Sequence, residues 1–179
     1  DLYIALKGEH FDGHEFLSSV DKAGASAALV SSCNKNINVQ QIQVNNPLKI
    51  LGDLGKAWRR QFNIPVIAIT GSIGKTSTKE LLIHILSISH NVHATEGNFN
   101  TSIGLPLTLL QLEDHHNVSI LEIGASMVGE IEYLTSIAEP THGLITNIAP
   151  AHLEGFGTIK KIAYEKGALF RALSNGISF

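Results

Sequence analysis

Val66-Ile67-Ala68-Ile69-Thr70-Gly71-Ser72-Ile73-Gly74-Lys75-Thr76-Ser77 leads from an apolar run, through a glycine-bearing loop, into an amphipathic stretch starting near Lys79. A loop of this kind between a strand and a helix is a phosphate cradle. Its glycines let backbone N–H groups close around phosphate oxygens, and the helix N-terminus adds a favourable dipole. Lys75 brings a point charge to the β and γ phosphates, and Thr76 a hydroxyl for Mg²⁺. Thr70, Gly71, Ser72, Ile73, Gly74, Lys75, Thr76 and Ser77 are therefore expected to hold a nucleoside triphosphate. The commonest phosphate-loop pattern, G-x-x-x-x-G-K-[ST], needs glycine at position 69, where this chain has Ile69. What stands here is the shorter T-G-x-x-G-K-T.

Outward from that loop, strands and helices alternate. Apolar runs at 66–69, 118–123 and 143–148 read as strands. Helices are expected at 75–89, 130–138 and 159–173, and another opens at Pro106. In the helix after the loop, Leu81, Leu82, Ile85 and Leu86 are the expected buried stripe. Strands that are apolar throughout suit a sheet covered on both faces. The alternation implies a doubly wound parallel sheet with its ligands at the strand C-terminal ends. Before it lies a smaller α/β module. Its strands are expected at 2–6, 27–30 and 42–44, with helices at 16–23 and 48–60. Leu48, Leu51, Leu54 and Trp58 mark one face of the second helix. Asn63-Ile64-Pro65 is the expected joint, giving domains 1–62 and 63–179.

Composition sets limits on function. The 179 residues are 44% hydrophobic and 16% charged, as in a well-packed soluble protein. A net charge of −3 gives no basic surface for nucleic acid. No apolar run reaches the roughly 18 residues that span a bilayer, and no signal peptide opens the chain. The lone Cys33 excludes an internal disulfide, fits a reducing compartment, and is expected to be buried or half-buried rather than a nucleophile. The expectation is a cytoplasmic monomer. Asp1 starts directly in a strand-like run and Phe179 directly follows a helix, so both ends read as cut.

Three further features fall at strand C-terminal ends. Glu122 lies inside Ser119-Ile120-Leu121-Glu122-Ile123-Gly124, where a carboxylate is costly to bury alone. It is either a Mg²⁺ ligand facing the loop or an edge-strand glutamate facing water. His152, in Ala149-Pro150-Ala151-His152-Leu153-Glu154-Gly155-Phe156-Gly157, is either a ligand for a second metal or an ordinary polar loop residue. Asn98 and Asn100, in Gly97-Asn98-Phe99-Asn100-Thr101-Ser102-Ile103-Gly104-Leu105-Pro106, either contact phosphate or substrate or serve as turn and capping residues. Asp114-His115-His116 reads as a solvated connection, and His84, His90 and His93 have no motif around them.

These segments together resemble the ATP-dependent Mur ligases of peptidoglycan synthesis. The match is carried by Asp1-Leu2-Tyr3-Ile4-Ala5-Leu6-Lys7-Gly8 with Phe11-Asp12-Gly13-His14, by the phosphate loop, by residues 97–110, and by residues 151–157. The last two segments resemble the branch that joins D-alanyl-D-alanine to a UDP-N-acetylmuramoyl-tripeptide. The resemblance implies a UDP-substrate module followed by part of an ATP-binding domain, with the remainder of that domain and a third, closing domain outside this chain. It implies Thr76 and Glu122 at one Mg²⁺, and Glu122 and His152 at a second. Lys166, in Tyr164-Glu165-Lys166-Gly167, matches a lysine that family members often carry as a carbamate. The other reading of Lys166 is a surface lysine on a helix. Thr101 stands where that branch usually has a second asparagine, and Ser126-Met127 departs from the common pairs, so neither receives a role. The alternatives are a third-residue-adding ligase or folylpolyglutamate synthase, and a nucleotide-binding fragment without turnover.

Overall fold

The computed structural model describes residues 1–150, 156–173 and 176–179. Contacts divide the chain into two compact units, Asp1–Leu51 and Gly52–Phe179.

The first unit contains β1 (Leu2–Ile4), α1 (Leu17–Lys22), β2 (Ala27–Val30) and β3 (Gln41–Gln43). The strands pair in parallel in the order β1-β2-β3, with Ala28 opposite both Tyr3 and Gln41. Ala5, Leu17, Ala28, Val30 and Val39 form its core. The Asp12-Gly13-His14 sequence folds back on the end of β2. Asp12 accepts from the His14 backbone N–H, its Oδ1 lies 2.6 Å from His14 Nδ1, and His14 Nε2 accepts from the Ser31 N–H at 3.0 Å. Cys33 is exposed, correcting the expectation of burial; it lies in the turn between β2 and β3, outside the core.

Helix α2 (Pro47–Arg59) runs through the division between the units. Contacts group the helix from Gly52 onward with the second unit, ahead of the sequence-expected joint at 63–65. Leu54 and Trp58 do not lie on the buried side; they are 36% and 42% exposed. The helix instead turns Gly52, Gly55 and Arg59 inward. A Cβ on Gly55 would lie 2.9 Å from the Pro106 backbone, and one on Gly52 2.6 Å from the Tyr133 hydroxyl. Backbone approaches this closely, so a large apolar side chain has no room. Arg59 donates to the carbonyls of Ala138 and Phe62, and Arg60 grips the Glu139 carboxylate with two nitrogens.

The second unit continues with β4 (Val66–Thr70), α3 (Lys75–Leu86), β5 (Val92–Ala94), α4 (Gly104–Leu109), β6 (Val118–Glu122), α5 (Glu130–Ala138), β7 (His142–Ile145), α6 (Ile159–Ala172) and β8 (Ile177–Ser178). All five strands are parallel in the order β5-β6-β4-β7-β8, the expected α/β architecture. Side chains alternate across a strand. Val66 and Ala68 therefore share one face, where they meet Leu105, Leu109, Ile131, Leu134 and Leu169 from α4, α5 and α6. Helix α3 packs on β4, β5 and β6.

The expected stripe of α3 is rotated. Leu81 and Ile85 are 59% and 49% exposed, whereas Lys79 is 1% exposed. The hydrophobic periodicity allowed two faces, and the helix buries the one that carries Lys79.

Candidate functional site

The phosphate loop leaves the central strand β4 and enters α3. Two glycines set its path. Gly71 has φ +152°, and a Cβ there would land on the Thr146 hydroxyl. Gly74 caps α3 in the left-handed region at φ +83°, with open space where a side chain would stand. Both conformations are readily available to glycine. Lys75 Nζ lies 3.0 Å from the Gly71 carbonyl, so the ammonium folds back over its own loop.

Glu122 closes β6, an interior strand between β5 and β4, and is 3% exposed. This removes the reading of a solvent-facing edge glutamate. The cost of burying its charge is offset by directed donors. Thr76 Oγ1 donates to Oε2 at 2.8 Å and Asn100 Nδ2 to Oε1 at 2.8 Å. The Glu122 backbone N–H donates to Thr95 Oγ1 at 3.0 Å. β6 runs parallel to β4 with Ile69 opposite Glu122, and this register brings the carboxylate beside the start of α3.

A cleft of about 230 Å³ opens over these groups, lined among others by Gly71, Lys75, Asn100, Ser126, Glu130 and Lys166. Lys166 is 3% exposed, which excludes the surface-lysine reading. Its pKa is lowered to about 8, chiefly by burial and then by the nearby Lys75 charge, with Glu165 opposing both. Glu165 accepts from the Gly129 and Ile131 N–H groups, each at 2.7 Å. It thereby caps the N-terminus of α5 and ties α6, which carries Lys166, to that wall of the cleft.

The sequence-expected residues divide by position. Gly71, Lys75, Asn100 and Lys166 line the cleft; Thr76 bonds to Glu122, which also bonds to the cleft-lining Asn100. The Thr70 hydroxyl is turned inward onto the Ile123 carbonyl at 2.9 Å, and Ile73 points outward, 63% exposed. The Ser72 hydroxyl bonds to Ala149, and Ser77 is exposed. Asn98 is exposed, with its carbonyl accepting from the Asn100 N–H at 2.7 Å. His152 lies outside the described residues. Thr101, Ser102, Ser126, Glu130 and Tyr133 also line the cleft. Sequence reasoning gave them no role: Thr101 and Ser126 depart from the family pattern, and nothing in the local spacing of Ser102, Glu130 and Tyr133 separates them from ordinary loop and helix residues.

Hard oxygen donors at the Thr76–Glu122 pair suit Mg²⁺, which is commonly held by one or two carboxylates together with phosphate oxygens. Among the described residues no group of three or more His, Cys, Asp or Glu side chains gathers as an all-protein metal cage, and the Asp114-His115-His116 run is not one. The residues therefore fit a metal shared with a bound phosphate.

Residues 69–179 match the model of the Mur ligase middle domain. The UDP-N-acetylmuramoyl-tripeptide–D-alanyl-D-alanine ligase of Haemophilus influenzae is 43% identical over 99% of this chain and 40% of its own length. The ligase of the same name from Escherichia coli is 42% identical over 99% of this chain and 39% of its own length. A crystal structure of MurF from Acinetobacter baumannii superposes with a TM-score of 0.96 at 39% identity, covering 99% of this chain and 40% of that one. MurF of Thermotoga maritima in complex with ADP gives a TM-score of 0.93 at 35% identity, covering 99% of this chain and 42% of that one. The chain thus spans about two fifths of the length of the relatives it matches. With its phosphate loop, parallel sheet and family-model match all within the second unit, this chain belongs to the Mur ligase family.

Proposed function

We propose that the protein containing this chain is an ATP-dependent ligase that joins D-alanyl-D-alanine to a UDP-N-acetylmuramoyl-tripeptide. The observation that carries the reading is Glu122 held between Thr76 and Asn100, with Asn100 lining a cleft together with Lys75 and Lys166. Similarity along essentially the whole chain to ligases of that name supports the substrate assignment.

A carboxylate is a poor acylating agent until its oxygen becomes a good leaving group. In the proposed reaction a terminal carboxylate oxygen of the tripeptide bonds to the γ-phosphorus of ATP and ADP departs. The amine of D-alanyl-D-alanine then bonds to the acyl-phosphate carbon, phosphate departs with the electron pair, and the amine loses a proton. Two anions must meet in the first step, so positive charge in the cleft is the main requirement. Lys75 supplies it from the loop. Thr76 and Glu122 would hold a Mg²⁺, and Glu122 with His152 a second. Bound Mg²⁺ neutralises phosphate charge and polarises the phosphorus–oxygen bond. Lys166, as a carbamate, would present an anion to metal where the free ammonium would repel it. Asn98 and Asn100 are proposed to contact substrate or phosphate, and Thr70, Gly71, Ser72, Ile73, Gly74 and Ser77 to complete the loop that holds ATP. The reading includes a cytoplasmic monomer, with neither nucleic acid nor membrane as partner; no helix among the described residues is long and apolar enough to cross a membrane.

Phosphate release by the full-length protein tests this. It should require ATP, UDP-N-acetylmuramoyl-tripeptide and D-alanyl-D-alanine together. Release with a UDP-linked dipeptide and a free diamino acid would instead identify a third-residue-adding ligase. The 179 residues alone are proposed to give no ligation, and measurable product from them would overturn that part.

A further inference from the structure

The phosphate loop is two residues shorter than the common pattern, yet it is held firmly from outside. The segment after β7 lies against it. Thr146 N–H donates to the Thr70 carbonyl at 2.9 Å, and Thr146 Oγ1 donates to the Ile73 carbonyl at 2.7 Å. Ser72 Oγ donates to the Ala149 carbonyl at 2.8 Å and accepts from the Ala149 N–H at 3.0 Å. Asn147 makes the most specific contact. Its backbone carbonyl accepts the Ser72 N–H at 3.1 Å, and its side-chain Oδ1 accepts the Ile73 N–H at 3.0 Å.

A phosphate cradle works by aiming backbone N–H groups at oxygens. Two of the donors in this short loop are already taken. The next donors along the chain, from Gly74 into the first turn of α3, have no acceptor within the helix. We infer that Asn147 is a positioning residue of the nucleotide site: it withholds the Ser72 and Ile73 N–H groups and leaves phosphate to the N–H groups of residues 74–76 and the Lys75 ammonium. The clasp does the work of the missing loop residues. A longer loop can satisfy its early donors on the phosphate itself; this one satisfies them on β7's extension and keeps its shape without ligand. The inference rests on the phosphate-loop reading above.

Two substitutions in the full-length protein separate charge from architecture. Asn147→Ala removes the acceptor for Ile73. It should raise the Kd for ATP about tenfold, roughly the worth of one hydrogen bond. Asn147→Asp keeps an acceptor at Ile73 but sets a carboxylate beside the triphosphate. It should leave the melting temperature near wild type while weakening ATP binding by about a hundredfold at low salt, an effect that shrinks as salt screens the repulsion. The KM values for the two other substrates should not move in either variant. If Asn147→Ala fails to fold, Asn147→Leu, of similar shape but without the acceptor, takes its place. Wild-type ATP affinity in a folded protein carrying either of these two substitutions overturns the inference. A wild-type protein that binds no nucleotide would instead remove the phosphate-loop reading itself.

Discussion

The ammonium of Lys79 reaches from inside α3 to the backbone carbonyl of Thr95, 2.6 Å away. Lys79 is 1% exposed, and its second partner, Glu80 at 2.8 Å, is largely in water. Thr95 in turn accepts the Glu122 N–H on its hydroxyl. The helix that follows the phosphate loop and the strand that ends in the site carboxylate are therefore joined through one buried threonine. Lys79→Met keeps the aliphatic stem but leaves the Thr95 carbonyl without its donor. It should cost about 1–3 kcal/mol of stability, read as a lower denaturant midpoint. It should also raise the Mg²⁺ concentration needed for half-maximal activity, which a purely structural defect would not do.

Glu122→Gln preserves shape and one acceptor oxygen while removing the charge. Ligation should fall by about 10²–10³-fold, the usual loss when one electrostatic contact to the transition state is removed. Thermal stability should change little, because Thr76 can still donate to the remaining amide oxygen. Steady-state phosphate release across a Mg²⁺ titration reads both effects. Activity near wild type at ordinary Mg²⁺ would show that this carboxylate holds no essential metal.

Lys166 has a pKa lowered to about 8, chiefly by burial and then by Lys75. Its neutral amine is therefore accessible near physiological pH, and only a neutral amine adds CO₂. Full-length protein equilibrated with ¹³C-bicarbonate should show a carbamate carbon signal that disappears in Lys166→Arg. That variant keeps a cation and cannot be carbamylated, so its ligation should be lost while ATP still binds. A protein active without the carbon signal would assign Lys166 some other part.

His93 is buried, with Nε2 donating to the Thr108 carbonyl and Nδ1 accepting from the Ser119 hydroxyl, each at 2.9 Å. Its pKa is lowered to about 4, chiefly by burial, with the Thr108 carbonyl opposing and His116, 5.2 Å away ring to ring, adding to the lowering. The unfolded chain, with an ordinary value of 6.5, binds the proton first as pH falls. Stability from this group is complete above pH 6.5 and is lost progressively between 6.5 and 4, by roughly 3 kcal/mol in all. Urea midpoints of the full-length protein measured across that range should fall, and the His93→Gln variant should show a shallower dependence.

The linear sequence was sufficient for the phosphate loop, the alternation of strands and helices, and Glu122 at a strand end. Each of these is local: a glycine pair next to a lysine and threonine, a run of apolar residues, a charge where the run stops. The choice between two readings of Glu122 and Lys166 needed the assembled sheet, because burial depends on which strand lies on each side, and β6 lies inside. The face of α3 was misjudged for the same reason. Leu81 and Ile85 look like core by hydrophobicity, but a lysine takes the interior because Thr95, distant in sequence, offers it a carbonyl. Helix α2 turns glycines inward because Pro106 and Tyr133 come too close for anything larger. The clasp of Asn147 on the phosphate loop has no sequence signal either, since it joins residues 74 positions apart through backbone donors that every residue possesses. Sequence determined which groups are candidates for the chemistry, because reactivity resides in residue type and close spacing. Tertiary structure alone decided which of them meet, which are buried, and which donors stay free, because those depend on contacts between residues far apart along the chain.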